Sequence, residues 1–451
     1  MGRDRAKARG TIEGYVLDGQ YPSNLHREFA PNWIDAMLRH KGVAPPRAPG
    51  APFALMDLGC GDGLGLVLMA AAHPEGQFQG IEAQPGLTEG AAKIARECGI
   101  GNVGFRSLRF ADLADPAEPG FDYVTAQGVM SWVDAENQAH VRRIAALHVR
   151  PCGVACLGYN TLPGWKDALA FQQMVRQFAD AETGDAVARF DAALARIRAM
   201  SKAGAPAFSR AFMAWIDNLR ATLPAGYFPH EYLNRHWTCF WAAEMIEAMA
   251  GAGFVLAAPG RAEQLREDYA LKKAQRRQLA AIADPLARAT AADIFTNACY
   301  RVDIYARALR PLDESRASRL DGWWAATVAA ADAVYECRTP AGRLVFDNGA
   351  ARAVLAGLEA GPATLHAIAR NFAGTAQEVL DAADALLVAG HILPAGPPAD
   401  TPGAAALNGL IRASAGAPGA IDALAGAHGP MPVAPRDMGD AATLRRLGIG
   451  D

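Results

Sequence analysis

The sequence predicts an α/β fold with a mostly parallel sheet, and two observations support this prediction. From residue 53 to residue 160, short apolar runs alternate with segments whose apolar residues recur at helical spacing. Alternation of strands and helices gives a parallel sheet with helices on both faces. A glycine-rich turn, DLGCGDG at residues 57–63, also separates the first predicted strand from the first predicted helix. Sheets of this kind bind ligands at the carboxyl ends of their strands.

Five strands and three helices are predicted in this first region. The strands are Phe53–Leu58, Phe78–Glu82, Val103–Leu108, Phe121–Gln127 and Val154–Tyr159, and the helices are Gly63–Ala72, Gly86–Cys98 and Ala135–His148. The sheet is completed much later in the chain. A helical pattern in WAAEMIEAMAGAGF, residues 241–254, leads into a sixth strand, and YRVDIYAR at residues 300–307 alternates as a seventh.

The connection between the fifth and sixth strands is too long for an ordinary loop, so residues 162–238 are predicted to be an insertion. Apolar residues recur at helical spacing in ALAFQQMVRQFAD and ARFDAALARIRAM, which indicates that the insertion is helical. An insertion at the carboxyl edge of the sheet would lie over a bound ligand as a lid. A second helical stretch, residues 262–297, separates the sixth and seventh strands.

Length and composition limit the class of protein. The 451 residues predict two or three domains. Hydrophobic residues make up 51% and the net charge is −3, so a globular chain is expected, without the basic excess that favours nucleic acid as a partner. The charged N-terminus lacks the apolar region of a secretory signal, and no stretch is long enough to span a bilayer. With seven scattered cysteines and no CxxC pair, we expect a cytoplasmic protein.

The glycine-rich turn has the spacing G-x-G-x-G at Gly59, Gly61 and Gly63. A dinucleotide fingerprint requires G-x-G-x-x-G, and position 64 is Leu64. The acid Asp57, which points into the turn, disfavours a pyrophosphate and suits a ligand with an amine and a positive charge. A nicotinamide dehydrogenase would also place an acid at Glu82, but the glycine spacing and Asp57 count against that alternative.

Further acids follow the next strands. Glu82 ends the second strand, where a carboxylate can accept from both ribose hydroxyls of an adenosine. Asp112 follows the third strand, where a carboxylate can accept from an adenine amine, with Phe110 or Leu113 beside the ring. The fourth strand ends in Gln127 and Gly128. The carboxyl edge of the sheet is therefore predicted to hold an adenosine with a cationic substituent.

The segments DLGCGDG, GIEAQ, FADL and FDYVTAQG together resemble the motif series of class I S-adenosylmethionine-dependent methyltransferases. The resemblance implies a seven-stranded Rossmann-like methyltransferase sheet, with S-adenosylmethionine as the cofactor and no metal. It implies a cofactor site made of Asp57, Gly59, Cys60, Gly61, Gly63, Glu82, Ala83, Ala111, Asp112, Leu113, Gln127 and Gly128.

Four further segments sharpen this resemblance: QYPSNLHREFAPNWI at 20–34, QGVMSWV at 127–133, GYNTLPGW at 158–165 and PHEYLNRHW at 229–237. They resemble bacterial methyltransferases with a methyltransferase regulatory domain, a group that includes protein-lysine methyltransferases acting on outer-membrane proteins. The candidate catalytic residues are Asn160, Trp132 and Tyr21. Tyr159 and Trp165 are further candidates for aromatic walls around a sulfonium or alkylammonium group.

The pair His230–Glu231 does not indicate a metal site. A zincin motif needs a second histidine at position 234, which is Asn234. We interpret the pair as the start of a helix or a core contact. Tyr232, Trp237 and Trp241 are likewise interpreted as core residues.

The C-terminal third is predicted to be mainly α-helical and similar to a winged helix. Trp323 and Trp324 are placed in a helical stretch, and residues 343–395 read as three helices and a short strand. The third helix, AQEVLDAADALLVAG, carries acids and no basic residue, which favours protein contact or homodimerisation over DNA binding. The tail from 401 to 451 is rich in Ala, Gly and Pro, and we expect it to pack loosely or as short pieces.

These inferences divide the chain into five parts: the N-terminal segment and cofactor-binding core at 1–161, the lid or regulatory insertion at 162–238, the end of the sheet at 239–310, the winged-helix-like domain at 311–400, and the tail at 401–451. The lid and the extra domain favour a protein substrate and N-methylation of lysine. A small-molecule methyltransferase and a non-catalytic cofactor-binding scaffold remain as alternatives. An open groove would favour a protein substrate, and a closed pocket would favour a small-molecule substrate. A blocked acceptor channel would favour the non-catalytic scaffold.

Overall fold

A seven-stranded sheet forms the centre of the protein. The computed structural model describes residues 25–113, 120–312, 319–417 and 420–450, and the backbone of 11–12 and 15–16, which form a short antiparallel pair. The sheet order is β3-β2-β1-β4-β5-β7-β6, and only β7 is antiparallel to its neighbours. The strands are β1 Phe53–Leu58, β2 Gly76–Glu82, β3 Val103–Ser107, β4 Phe121–Gln127, β5 Val149–Asn160, β6 Val255–Pro259 and β7 Tyr300–Ala306.

All seven predicted strands are therefore confirmed. Phe53–Leu58 and Phe121–Gln127 have the predicted bounds, and the ends of other strands are shifted. The largest shift is in β5, which begins at Val149 rather than Val154. Helices cover both faces of the sheet, as predicted. In the first half of the chain they are α1 Pro31–His40, α2 Leu64–Ala72, α3 Glu89–Glu97, α4 Phe110–Leu113, α5 Val129–Trp132 and α6 Ala135–His148. Apolar residues of α1 and α2 form the core on one face, and those of α6 form the core on the other.

The predicted insertion is helical and has a core of its own. Its helices are α7 Lys166–Asp180, α8 Ala186–Lys202, α9 Arg210–Thr222 and α10 Tyr227–Tyr232. Fully buried aromatic side chains, among them Phe171, Phe190 and Phe228, pack these helices together. The chain then returns to the sheet through α11 Ala242–Gly251. Between β6 and β7 lie a short 3-10 turn, Ala262–Gln264, and the helices α12 Glu267–Ala270, α13 Lys273–Ala280 and α14 Pro285–Thr296.

In the C-terminal third, one predicted helix is a strand. Trp323 and Trp324 belong to β8 Trp323–Ala326, which pairs with β11 Ala363–Thr364 on one side and β12 Ile392–Ala395 on the other. A short apolar run has no periodicity that separates a buried strand from a helix, which explains the error. The other elements are the hairpin β9 Glu336–Thr339 and β10 Gly342–Val345, and the helices α15 Gly349–Gly357, α16 Leu365–Ala369 and α17 Ala376–Val388. The likeness to a winged helix stays a prediction.

The tail is built of short elements, one of the two alternatives that its composition left open, but these elements do not pack loosely. It contains α18 Ala404–Ser414, the hairpin β13 Ala423–Gly426 and β14 Gly429–Pro432, a 3-10 turn at Pro435–Asp437, and α19 Ala441–Arg446. Leu424, Met431 and Leu447 are almost completely buried, and α18, β13 and β14 contact α2. The physical reason lies in α2, LGLVLMAAA, which is apolar on every side and needs a second covering layer besides the sheet.

No helix among the described residues combines the length and the apolar character that crossing a bilayer requires.

Candidate active site

The glycine-rich turn connects β1 to α2 at the carboxyl edge of the sheet. Gly59, Gly61 and Gly63 have φ values of +70°, +60° and +77°, a region that favours glycine. The N–H groups of Gly59 and Cys60 donate to the carbonyl of Ile81, at 2.8 and 3.1 Å, which ties the turn to β2. The space in which Gly61 would carry a Cβ is open, so a ligand can approach this backbone closely.

Glu82 lies at the end of β2, directly beside the turn. Its Oε2 accepts from the N–H of Gly61 at 3.2 Å, and its Oε1 accepts from the N–H of Gln84 at 3.0 Å. Burial raises the pKa of Glu82, while the backbone hydrogen bonds oppose that shift. The carboxyl group is therefore held in one orientation, and a diol at the strand end could donate both hydroxyls to it.

Asp57 is a second acid at the same edge. Thr125 donates its hydroxyl to Asp57 Oδ1 at 2.7 Å. Burial, together with the nearby charge of Glu82, raises the pKa of Asp57 to about 7, while the hydrogen bond from Thr125 opposes the shift. Two acids that repel each other in a partly buried pocket favour a cationic ligand. Burial also raises the pKa of the Cys60 thiol far above its usual value, so this thiol is not a nucleophile.

The remaining predicted cofactor residues lie at the ends of β2, β3 and β4. Ala83 follows Glu82, and the short helix α4 carries the exposed Ala111 and Asp112 and the buried Leu113. Gly128 has a φ of +74° and donates its N–H to the carbonyl of Gly158 at 2.9 Å. Gln127 Nε2 lies 3.4 Å from the hydroxyl of Tyr300. The four motifs thus meet along one edge of the sheet.

Asn160 ends β5 on the same edge, next to the end of β4. Its backbone N–H donates to Ser131 Oγ at 2.8 Å, and its carbonyl accepts from the N–H of Phe240 at 3.0 Å. Its side chain is different: Nδ2 is buried and has no hydrogen-bond partner among the described residues. A buried amide nitrogen without an acceptor is costly, and a bound ligand could supply that acceptor.

Four tryptophans, which we call the tryptophan row, extend from this edge into the insertion. The ring of Trp132 occupies the side of Gly128 on which a Cβ would lie, 3.5 Å from its Nε1, and it stacks on Trp237 with ring centres 6.3 Å apart. Trp165 lies edge-on to Trp237 at 5.4 Å and reaches Trp215 at 6.3 Å. Trp215 is 39% exposed, so the row runs from Gly128 to solvent.

The row contains two residues that sequence reasoning missed. Trp237 was interpreted as a core residue and Trp215 was not singled out. The available signal for Trp237 was its place in PHEYLNRHW, one of the segments that carried the family resemblance. Tyr159, by contrast, is not an aromatic wall. It is fully buried and donates its hydroxyl to Asp303 Oδ2 at 2.5 Å. Tyr21 lies outside the described residues.

No group of three or more histidine, cysteine, aspartate or glutamate side chains that could hold a metal ion occurs in the part of the chain that the structure describes. Glu231 is buried in the fold, which agrees with the interpretation of His230–Glu231 as core contacts.

Two family models match this chain. Residues 55–153 match a methyltransferase domain, and residues 224–307 match a domain described as a "predicted methyltransferase regulatory domain". The first match covers β1 to β4 and the glycine-rich turn. The second begins within the predicted insertion and ends with β7, so it includes α10, Trp237 and the closing strands of the sheet.

Similar proteins agree with these matches. An uncharacterized protein of Synechocystis is 25% identical over 357 residues, 78% of this chain and 70% of the relative. An uncharacterized protein of Rickettsia prowazekii is 30% identical over 155 residues, 34% of this chain and 61% of the relative.

Among solved structures, PKMT2 from Rickettsia typhi in complex with AdoHcy has the same fold. Its TM-score is 0.64 and its identity 19%, over 83% of this chain and 77% of that one. The two domain matches, the shared fold and the glycine-rich turn with its acids support one conclusion. The chain is a class I S-adenosylmethionine-dependent methyltransferase with a methyltransferase regulatory domain.

Proposed function

We propose that this enzyme N-methylates lysine side chains of proteins. The observation that carries the proposal is the tryptophan row, which leads from the exposed Trp215 to Trp132. Trp132 directly follows Ser131, whose hydroxyl oxygen accepts the backbone N–H of Asn160. Indole faces attract sulfonium and alkylammonium groups by about 0.5–2 kcal/mol each. A path of this kind suits a long flexible side chain with a nitrogen at its end. The similarity to PKMT2, a name that denotes a protein-lysine methyltransferase, points in the same direction.

The cofactor residues would divide the ligand among them. Glu82 would accept from the ribose hydroxyls, Asp112 from the adenine amine, and Asp57 would face the cationic amino-acid part. Gly59, Gly61 and Gly63 leave the backbone open to the ligand. S-adenosylmethionine supplies a methyl group on a sulfonium, which is a good leaving group, so the protein mainly has to align the acceptor and exclude water.

The acceptor nitrogen must be neutral before it can form a bond to the methyl carbon. A lysine has a reference pKa of about 10.4, so removing its proton at pH 7 costs roughly 4–5 kcal/mol. An apolar path and a nearby positive charge both lower that pKa. Asn160 lies at the inner end of the path, where its amide could orient the nitrogen through its carbonyl oxygen.

The proposal is tested by methyl transfer into a bacterial cell lysate. The full chain is incubated with lysate and S-adenosylmethionine labelled in its methyl group. The labelled products are then separated by size into proteins and small molecules. We expect label in protein, released as methyl-lysine after acid hydrolysis. The variant Glu82→Ala serves as the control without cofactor binding.

Each other outcome contradicts the proposal in a different way. Label in small molecules would assign the enzyme to small-molecule methylation. Label in protein on another amino acid would exclude lysine as the acceptor. Absence of transfer by a folded protein that binds S-adenosylmethionine would support a cofactor-binding scaffold.

A further inference from the structure

Tyr300 is an aromatic residue at the carboxyl edge of the sheet that has no role in the site described so far. It begins β7 and is half-buried. Its hydroxyl accepts a hydrogen bond from Nε2 of Gln127, at the end of β4, at 3.4 Å. A Cβ at Gly158 of β5 would overlap the same hydroxyl. The hydroxyl of Tyr300 therefore reaches across β5 to the end of β4.

The strand register places three polar side chains on one face of this edge. Tyr300 pairs directly with Asn160, and Gly158 of β5 pairs with Gln127 of β4. Paired residues point to the same face of a sheet, and so do residues two apart along a strand. Gln127, Asn160 and Tyr300 therefore form one group, which we call the amide–phenol cluster. Asn160 is only 6% exposed, and its Nδ2 has no hydrogen-bond partner among the described residues, so a ligand could complete the cluster.

The tryptophan row adjoins the amide–phenol cluster at two points. The ring of Trp132 lies on the Cβ side of Gly128, the residue that follows β4. Trp165 donates its indole N–H to the carbonyl of Cys299, the residue before Tyr300, at 2.6 Å. The row thus meets the backbone on both sides of the cluster, at the end of β4 and at the start of β7.

We propose that the hydroxyl of Tyr300 contacts the acceptor nitrogen of the substrate and, together with Asn160, orients its lone pair toward the methyl carbon. The inference rests on the proposed function and adds a residue that contacts the substrate. A neutral primary amine has two N–H donors and one lone pair, so two oxygens that accept from the N–H groups fix the direction of the lone pair. The lone pair forms the nitrogen–carbon bond while the carbon–sulfur bond breaks and sulfur keeps that electron pair, which leaves a methylammonium group.

The chemistry of the cluster suits an uncharged amine. Its members are two amides and a phenol, which are neutral hydrogen-bonding groups. A carboxylate in contact with the amine would stabilise the protonated form, which has no lone pair to react. A neutral oxygen stabilises that form much less, since hydrogen bonds between ionised groups are the strong ones. The cluster therefore orients the nitrogen at little cost to the form that the reaction requires.

A pair of uncharged probes tests this contact without turnover. Both are Nα-acetyl methylamides of lysine analogues in which oxygen replaces Cε. The aminooxy probe keeps the terminal NH2 group, and the ether probe has CH3 in its place, so the two have the same length but only the first has N–H donors. Binding of each probe to the full chain is measured at pH 7.5 by NMR titration with saturating S-adenosylhomocysteine. We expect the wild type to bind the aminooxy probe about tenfold more tightly than the ether probe.

Tyr300→Phe removes the hydroxyl and keeps the ring. We expect the preference for the aminooxy probe to fall about threefold in this variant, with unchanged binding of the ether probe and an unchanged Kd for S-adenosylmethionine. Asn160→Ala should lose a similar share of the preference. Tyr305→Phe is the matched control, because it removes a hydroxyl from the same strand on the opposite face, where Tyr305 donates to Asp303 at 3.1 Å. The control should retain the full preference.

The outcomes are distinguishable from those of the methylation assay. An undiminished preference in Tyr300→Phe would overturn the contact with the acceptor nitrogen, even if protein lysine is methylated. Equal or undetectable binding of the two probes by the wild type would overturn it as well. A higher Kd for S-adenosylmethionine in Tyr300→Phe would place the hydroxyl at the cofactor instead. Whether protein lysine is methylated is decided separately, by the label recovered from the lysate.

Discussion

The cofactor side and the acceptor side of this active site are built in different ways. On the cofactor side, the predicted residues lie at or shortly after the ends of four strands: 57–63 at β1, 82–83 at β2, 111–113 after β3 and 127–128 at β4. On the acceptor side, Asn160 ends β5, but Trp165, Trp215 and Trp237 come from the insertion and its return to the sheet. The cofactor side is fixed by local strand–turn–helix units, while the acceptor side depends on how distant segments pack.

This difference predicts that substitutions on the two sides affect different constants. Cofactor-side changes should alter the affinity for S-adenosylmethionine, and acceptor-side changes should alter turnover of lysine at unchanged cofactor affinity.

The largest effect is expected for Glu82→Ala. The substitution would remove the two charge-assisted hydrogen bonds that we propose Glu82 makes to the ribose, worth about 1.5–3 kcal/mol each. It also leaves the N–H groups of Gly61 and Gln84 without their acceptor. The Kd for S-adenosylmethionine should rise at least about 100-fold, measured by calorimetric titration. Glu89→Ala, an exposed acid at the start of α3, is the control. A change below threefold in Glu82→Ala would show that this carboxylate does not hold the cofactor.

Asn160→Ala should have the largest effect on the acceptor side. The lost amide would no longer orient the acceptor nitrogen, and removal of one positioned polar group costs about 10²–10³-fold in turnover. We expect kcat/KM for the lysine substrate to fall by about that factor, with an unchanged Kd for S-adenosylmethionine. Asn218→Ala on the surface helix α9 should leave both constants as in the wild type. Unchanged turnover in Asn160→Ala would remove this residue from the site.

Much of the cofactor side could be predicted from the sequence because each motif lies within a few residues of a strand end. The acceptor side could not, since no local pattern indicates that Trp132 stacks on Trp237. Trp237 lies in the segment PHEYLNRHW, yet an aromatic residue in such a segment is more often part of a core. The segment became informative only when the packing was known.

The tail shows the same limit in a different form. Its composition, rich in Ala, Gly and Pro, favoured loose packing or short pieces. The structure shows short elements, and Leu424 and Met431 are buried in a hairpin that contacts α2. One signal was present, because α2 is apolar on every side while α3, in the next unit, buries only Ala91 and Ala95. A helix with no polar face indicates a further layer. The sequence thus indicates that a further segment packs on α2, but it does not indicate which segment this is.

A smaller effect, on the cofactor side, is the pH dependence of binding. Burial raises the pKa of Asp57 to about 7 in the free protein, and a cationic ligand favours the ionised form. Affinity for S-adenosylmethionine should therefore be highest above pH 7 and fall up to about tenfold by pH 6, as Asp57 becomes protonated. Calorimetric titration at pH 6, 7 and 8 measures the effect.

The variant Asp57→Asn is the control for this pH dependence. This variant should bind S-adenosylmethionine more weakly than the wild type at pH 8, and its affinity should change less between pH 6 and 8. A residual pH dependence is expected from Glu82, because burial raises the pKa of that residue too. Equal affinity of the wild type at pH 6 and pH 8 would contradict the assignment of Asp57 to the cationic part of the ligand.

The smallest effect is expected at Trp215, where the tryptophan row reaches solvent. Its ring is 39% exposed, so water competes for the cation and the contact is worth about 0.5–1 kcal/mol. Trp215→Ala should raise the KM for a lysine substrate about two- to fivefold, with little change in kcat and none in cofactor affinity. Trp215→Phe keeps an aromatic face, so its KM should lie between those of the wild type and Trp215→Ala. Met200→Ala, which removes an equally exposed apolar side chain of the insertion, should leave the KM unchanged. If both substitutions at Trp215 leave the KM unaltered, the substrate path ends further inside, at Trp165, and the outer part of the insertion contributes only packing.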